Sequence, residues 1–209
     1  MRAFVIAILA VAACGYPPLP SNSDGGVGDG KGGGKDSGGG SDGSAQSNCQ
    51  VPASFGTLNP STQMADYYSE TSQDPEEYDY LGQLDNDNPA DYLYVQLVAT
   101  YAPFGQEVTA PVTITIPSTP DDSQCGGCVI IEADCPDCFN NGTPGSTYMA
   151  DGGTLKVTSL GSNMVGTVTN ATFVHVDINA SNGATTVVND GCTTKITSLS
   201  FTAPIQNGN

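Results

Sequence analysis

Apolar and polar residues alternate with period two through most of the chain beyond residue 90. In residues 91–101, Leu93, Val95, Leu97, Ala99 and Tyr101 share one face. In 111–117, Val112, Ile114 and Ile116 oppose Thr113 and Thr115. The same alternation runs through 128–134, 154–160 and 166–178, with shorter candidates at 185–189 and 193–201. Successive side chains of a strand point to opposite faces, so this pattern predicts half-buried strands. No window beyond the first 13 residues shows a helical stripe. Short strands separated by Gly, Asn and Pro turns predict an all-β domain, an antiparallel β-sandwich or a barrel-like fold. Residues 59–90 follow the pattern least, and a short helix capped by Ser61 or Thr62 is expected at 60–69.

The N-terminus obeys different rules. Arg2 supplies a positive charge and residues 3–13 are uninterruptedly apolar. A membrane-spanning helix needs about 20 apolar residues, so this run suits the core of an export signal. It ends in Val11-Ala12-Ala13-Cys14. That tetrapeptide resembles the lipobox of bacterial lipoproteins, with Val11 where Leu is usual. The resemblance implies a signal peptide over 1–13, lipidation of Cys14, and export to a membrane-anchored position, with Gly15 favouring the outer membrane or cell surface.

Residues 15–48 are dominated by Gly, Ser, Asp and Pro, with Tyr16, Leu19 and Val27 as the large apolar exceptions. Such a segment cannot bury enough surface to offset its chain entropy, and 14–48 reads as a lipidated Cys followed by a disordered linker. A Gly-rich coil of this length spans roughly 30–35 Å. Gly39 to Gly43 match a G-x-S-x-G pattern and Gly25 to Lys31 come near a phosphate-binding loop. Neither has the strand and helix that give those motifs their chemistry. The folded domain is expected over 49–209.

Charge excludes one class of partner. The formal net charge is -17, and beyond residue 48 Lys156 and Lys195 stand against 18 acids. No basic surface is available to neutralise phosphates, so nucleic acid is not an expected ligand.

Assigning Cys14 to lipid leaves six of the seven cysteines: Cys49, Cys125, Cys128, Cys135, Cys138 and Cys192. Two C-x2-C pairs flank the predicted strand 128–134. In an exported chain disulfides are the first expectation. Seven residues of extended strand from Cys128 to Cys135 cover about 23 Å, whereas bridged Cα atoms lie within about 7 Å. A straight strand therefore predicts Cys125–Cys128 and Cys135–Cys138, with Cys49–Cys192 tying the domain ends. A folded-back segment would instead allow nested bridges or a zinc site, and a redox-active C-x-x-C is the third option.

Nine acids and no base lie between Asp66 and Asp91. The oxygen-rich stretch 84–91 offers Asp85, Asp87 and Asp91 as candidate calcium ligands, although it lacks the full loop spacing and its Gly. The competing reading is a solvated acidic surface. Tyr67, Tyr68, Tyr78, Tyr80, Tyr92 and Tyr94 would supply an aromatic binding face if they lay together, the competing reading being half-buried strand positions, where Tyr is common. Glu132 and Asp134 are two apart and would share a strand face, as a carboxylate pair for glycoside hydrolysis would require. His175 lies beside Asp177 with no nucleophile assignable.

The segments 153–160, 166–168 and 170–173 resemble the closing strands of poorly characterised all-β domains in bacterial lipoproteins. The Gly-rich linker is similar to those of myxobacterial-type envelope lipoproteins. The combined expectation is a lipid-anchored envelope protein that binds, adheres or scaffolds. Carbohydrate, another envelope protein or calcium are the expected partners. An exported hydrolase with a carboxylate site, or a Cys-based metal or redox protein, is the alternative.

Overall fold

A computed structural model describes residues 49–71, 74–140 and 142–208. The expected signal segment, Cys14 and the expected linker lie outside the described residues.

Among the described residues ten strands form: β1 Gly56–Leu58, β2 Gln63–Tyr68, β3 Glu77–Gln83, β4 Ala90–Val98, β5 Val112–Thr115, β6 Gly127–Cys135, β7 Ser146–Leu160, β8 Asn163–Ile178, β9 Thr185–Val187 and β10 Thr193–Asn207. Every segment with strong alternation is a strand. The expected helix at 60–69 is not formed, because Gln63–Tyr68 pairs antiparallel with β3 and Ala65 lies opposite Tyr80. Thr62 caps nothing helical; its carbonyl accepts the Gln83 N–H at 3.0 Å. Sheet pairing outweighs the weak local preference of this short segment.

The pairings close on themselves. Strand β2 pairs with β3, β3 with β4, β4 with β6, β6 with β7, β7 with β8, β8 with β10, and β10 returns to β2. Directions cannot alternate around a ring of seven strands, so one seam must be parallel. That seam is β10–β2, where Ile205 faces Ala65. The fold is thus all-β and barrel-like, with a mixed sheet. Strand β1 also pairs parallel with β10, and β5 and β9 extend β7 and β8.

Closure sorts the side chains. Tyr80, Leu93, Leu97, Ile131, Tyr148, Leu155, Phe173 and Leu199 point inward and are almost wholly buried in one continuous core. Tyr80 and Phe201 stack inside it with ring centroids 4.4 Å apart. The interior is filled by side chains, as expected of a small barrel. Strand β7 serves two neighbours by bending: its first part pairs with β6 and its second with β5. Register shifts around Gly152 make the bend. Gly153 sits at φ +111°, where a Cβ would lie 2.6 Å from Ala171 Cα. Only Gly fits both demands.

Three disulfides staple the barrel: Cys49–Cys192, Cys125–Cys128 and Cys135–Cys138, with Cα separations of 5.5, 5.5 and 5.7 Å. This is the pairing that a straight strand between the two C-x2-C motifs predicts. The motifs stand at opposite ends of β6, so their four sulfurs do not share one point.

Candidate functional site

A break in β6 decides which chemistry is grouped on the outer face. Opposite β4, the register shifts so that Ala133 and Asp134 together face Asp91, and Asp134 takes φ 50°. This is a β-bulge. In an unbroken strand Glu132 and Cys135, three apart, would lie on opposite faces. The extra residue carries Cys135 out of the core and onto the face of Glu132. There Cys135 packs with Ala90 and Tyr92, and Cys138 and Phe139 join them. Glu132 Oε2 lies 2.8 Å from Cys138 Sγ. Ligand atoms of Glu132, Cys135 and Cys138 all lie within 4.8 Å of one another, the one such group among the described residues. The Tyr92 ring meets Phe139 edge-on, 5.2 Å between centroids. The bulge also breaks the simple expectation that Glu132 and Asp134 form a pair on a regular strand face.

The stretch 84–91 is a structured turn. Asp85 Oδ1 accepts the N–H groups of Asp87 (3.3 Å) and Asp91 (3.1 Å). Asp91 is 4 % exposed, and its Oδ1 accepts the Asp134 N–H at 2.9 Å, which pins the bulge. Asp85, Asp87 and Asp91 do not bring three carboxylates together around a point. Asp85 lines a cleft of about 150 Å³ with Asn59, Pro60, Ser61 and Gln83.

Burial pushes the Asp91 carboxyl up to about 7. The Asp134 N–H opposes this, and the charges of Asp85 and Asp134 add to it. A carboxyl whose folded pKa exceeds its unfolded value of 3.8 holds its proton more tightly in the native state. The stability that this gives is complete below about pH 4 and is lost as pH rises toward 7. In Asp91→Asn the amide oxygen can still accept from Asp134, and no charge develops. The melting-temperature advantage of this variant over wild type should therefore grow from pH 4 to 7 and then level off. Parallel melting curves across that range would remove Asp91 as the titrating group.

A second acidic group lies on the outward side of β2 and β3. The register sets Asp66 opposite Asp79, and Asp79 opposite Gln96 of β4. Asp79 is pushed well above the ordinary carboxylate range, by burial first and then by Glu77, with which it shares a hydrogen bond. Its Oδ1 is enclosed and has no hydrogen-bond partner. Gln96 Nε2 donates to Glu77 Oε1. Neither residue of this pair lines the two clefts described here. Sequence spacing alone did not single the pair out, although two acids at i and i+2 on one strand are the signal that could have.

The second cleft, about 350 Å³, includes Glu70, Glu76, Thr100 and Gln106. Glu76 is committed to structure: its Oε2 accepts the Val108 N–H at 2.8 Å. His175 does not use Asp177. Its Nδ1 meets Asp190 Oδ2 at 2.6 Å and its ring stacks on Tyr148. The six tyrosines do not form one face. Tyr80 is in the core, Tyr67 packs at a tilt against Tyr78, Tyr92 packs on Phe139, and Tyr68 is exposed. No helix among the described residues is long and apolar enough to cross a membrane.

The geometry defines a disulfide-stapled, mixed β-barrel with a solid interior and its polar groupings on the outside. No family model matches the chain, and no curated protein or solved structure matches it.

Proposed function

We propose that this protein is a lipid-anchored module of the cell envelope that works by binding. Cys14 carries the lipid, residues 15–48 give reach, and the barrel presents its outer surface at the outer membrane or cell surface. The observation that carries the reading is the filled barrel: Tyr80, Tyr148, Phe173 and their neighbours occupy the space that a lumen ligand would need. A small barrel without a lumen meets its partners on the outside. The partner classes that suit it are a carbohydrate or another envelope protein. Calcium at Asp85, Asp87 and Asp91 would have to draw Asp85 away from the two N–H groups it accepts, so it stands behind those two. The hydrolase alternative would rest on Glu77 and Asp79, which lie on a strand face outside both clefts.

The anchor is tested on the full chain made in a bacterium. Wild type should enter the detergent phase on phase separation, with lipid mass on the peptide that begins at Cys14. Cys14→Ala should move to the aqueous phase. A wild-type chain that stays aqueous and carries no lipid would end the anchor reading. Binding is tested separately, by screening the released domain against glycans and envelope fractions.

A further inference from the structure

We infer that Glu132, Cys135 and Cys138 form a thiol-gated metal site: shut as the disulfide, and able to hold a zinc-type divalent cation once a dithiol has reduced it. This goes beyond the binding reading and does not depend on it.

Three observations carry the inference. The first is the bulge at Asp134, which spends one residue to put Cys135 on the side of Glu132. The second is the placement of Glu132. Its Oε2 is 2.8 Å from Cys138 Sγ. A disulfide sulfur has no proton to donate, so in the shut state nothing bonds the two. In the open state a thiol donates to this oxygen, or a metal ion sits between them. The carboxylate oxygen thus lies within reach of a Cys138 thiol or of an ion that it holds. The third is the donor set. The two sulfurs, here joined as a disulfide, and the carboxylate oxygen lie within 4.8 Å of one another, and once the bridge is opened they are ligand types that zinc takes, with a fourth position left open. Soft sulfur donors select zinc-type ions over calcium or magnesium. The other local pair lacks the third ligand: Cys128 Sγ meets the Cys125 carbonyl at 3.3 Å, and no carboxylate groups with it among the described residues.

The gate is asymmetric. Cys135 is fully buried beneath Ala90 and Tyr92, whereas Cys138 is half-buried on a short 3-10 helix, Cys138–Asn140. Cys138 is the less enclosed of the two residues, and the attack of an incoming dithiol is assigned to its Sγ. The S–S bond breaks, Cys135 leaves as thiolate, and a mixed disulfide forms on Cys138. The second thiol of the reagent attacks its own sulfur in that mixed disulfide, releasing Cys138 and closing the reagent into a cyclic disulfide. Two electrons pass from the dithiol to the protein, and its two thiol protons end on Cys135 and Cys138. Metal binding then displaces those two protons as both sulfurs bind as thiolates. In a compartment that keeps disulfides oxidised, the gate rests shut.

Cobalt(II) is the probe, because thiolate-to-cobalt absorption reports sulfur ligation directly. The full chain would carry Cys14→Ser, Cys125→Ser and Cys128→Ser, and would be reduced on an immobilised dithiol that is removed before the metal is added without oxygen. Alkylation and peptide mass show which bridges have opened. The expected result is one equivalent of cobalt with a thiolate band after reduction, none before it, and displacement by zinc. Glu132→Gln leaves both cysteines and the bridge in place. It should weaken binding by about tenfold or more, the loss that already follows from removing an outer-shell partner of a metal ligand. Far-UV circular dichroism of each protein checks that the barrel is intact. The inference is overturned if the reduced protein takes up no cobalt, if the oxidised protein binds it equally, or if Glu132→Gln binds as tightly as its parent.

Discussion

Replacing Cys49 and Cys192 together by Ser is expected to lower the unfolding free energy by about 5 kcal/mol, the chain-entropy value for a loop of this length. Replacing either local pair in the same way should cost only about 2 kcal/mol, since the closed loop is so short. The contrast follows from sequence separation: 143 residues for Cys49–Cys192, and three for each of the others. Nearly the whole barrel lies inside the first loop. The bridge also holds a segment with few other anchors. Val51 packs into the core, and the Phe55 N–H donates to the Lys195 carbonyl at 2.9 Å. Beyond these, β1 offers three residues to β10. Urea unfolding of the three double variants gives the comparison. Equal losses across the set would mean that the long bridge does not restrict the unfolded chain as the topology implies.

Phe201→Ala should cost about 3–5 kcal/mol, the range for emptying a buried aromatic site. Phe201 is 2 % exposed, and its ring stacks on Tyr80 of β3. It belongs to β10, while Tyr80 lies beyond the parallel seam, so this pair packs across the place where the ring of strands closes. On the other side Phe201 faces Gly166 of β8, where a Cβ would run into the Phe201 ring and the Lys156 carbonyl. The absent side chain makes room for the aromatic one. Little else can collapse into the void: Tyr80 is held by the hydrogen bond from its hydroxyl to Gln63 Oε1 at 3.2 Å. Phe201→Leu, which keeps most of the volume, should lose clearly less. A loss below about 1 kcal/mol for Phe201→Ala would show that the seam repacks around the cavity.

The strands that sequence reveals are those whose two faces meet different surroundings. In β5 and β10 one side meets the core and the other carries Thr, Ser or Lys, and in β4 the core row Leu93, Val95, Leu97 alternates with Tyr92, Tyr94 and Gln96, so the period stands out. In β2 and β3 it is blurred, because Tyr67 and Tyr68 lie on opposite faces of β2, and the acid–tyrosine alternation of 77–80 ends at once in Leu81 and Gly82. Their pairing with each other is what makes them strands. Barrel closure was equally hidden. The β10–β2 seam joins residues 65–67 to 205–207, and no local pattern reports a contact at that separation. The cysteine pairing was legible because strand length is a hard constraint. The grouping of Glu132 with Cys135 and Cys138 was not, because it depends on one extra residue at Asp134. A bulge reverses every later side chain, and period-two reasoning carries the error forward. The expected signal segment rests on an apolar run and on the resemblance of Val11-Ala12-Ala13-Cys14 to a lipobox, and the expected linker on composition.

The parallel seam has a consequence for how the chain is made. Strand β10, the latest of the ten in chain order, fills the slot between β8 on one side and β1 and β2 on the other. Until residues 193–207 arrive, the first strands and β8 present open edges, ready to pair with any passing strand. The partner of Cys49 lies in the same late stretch, at residue 192. This barrel cannot be finished piecemeal from its N-terminus. Wherever the chain folds, the ring of strands closes only once residues 193–207 are available, and a shorter nascent chain keeps those edges exposed.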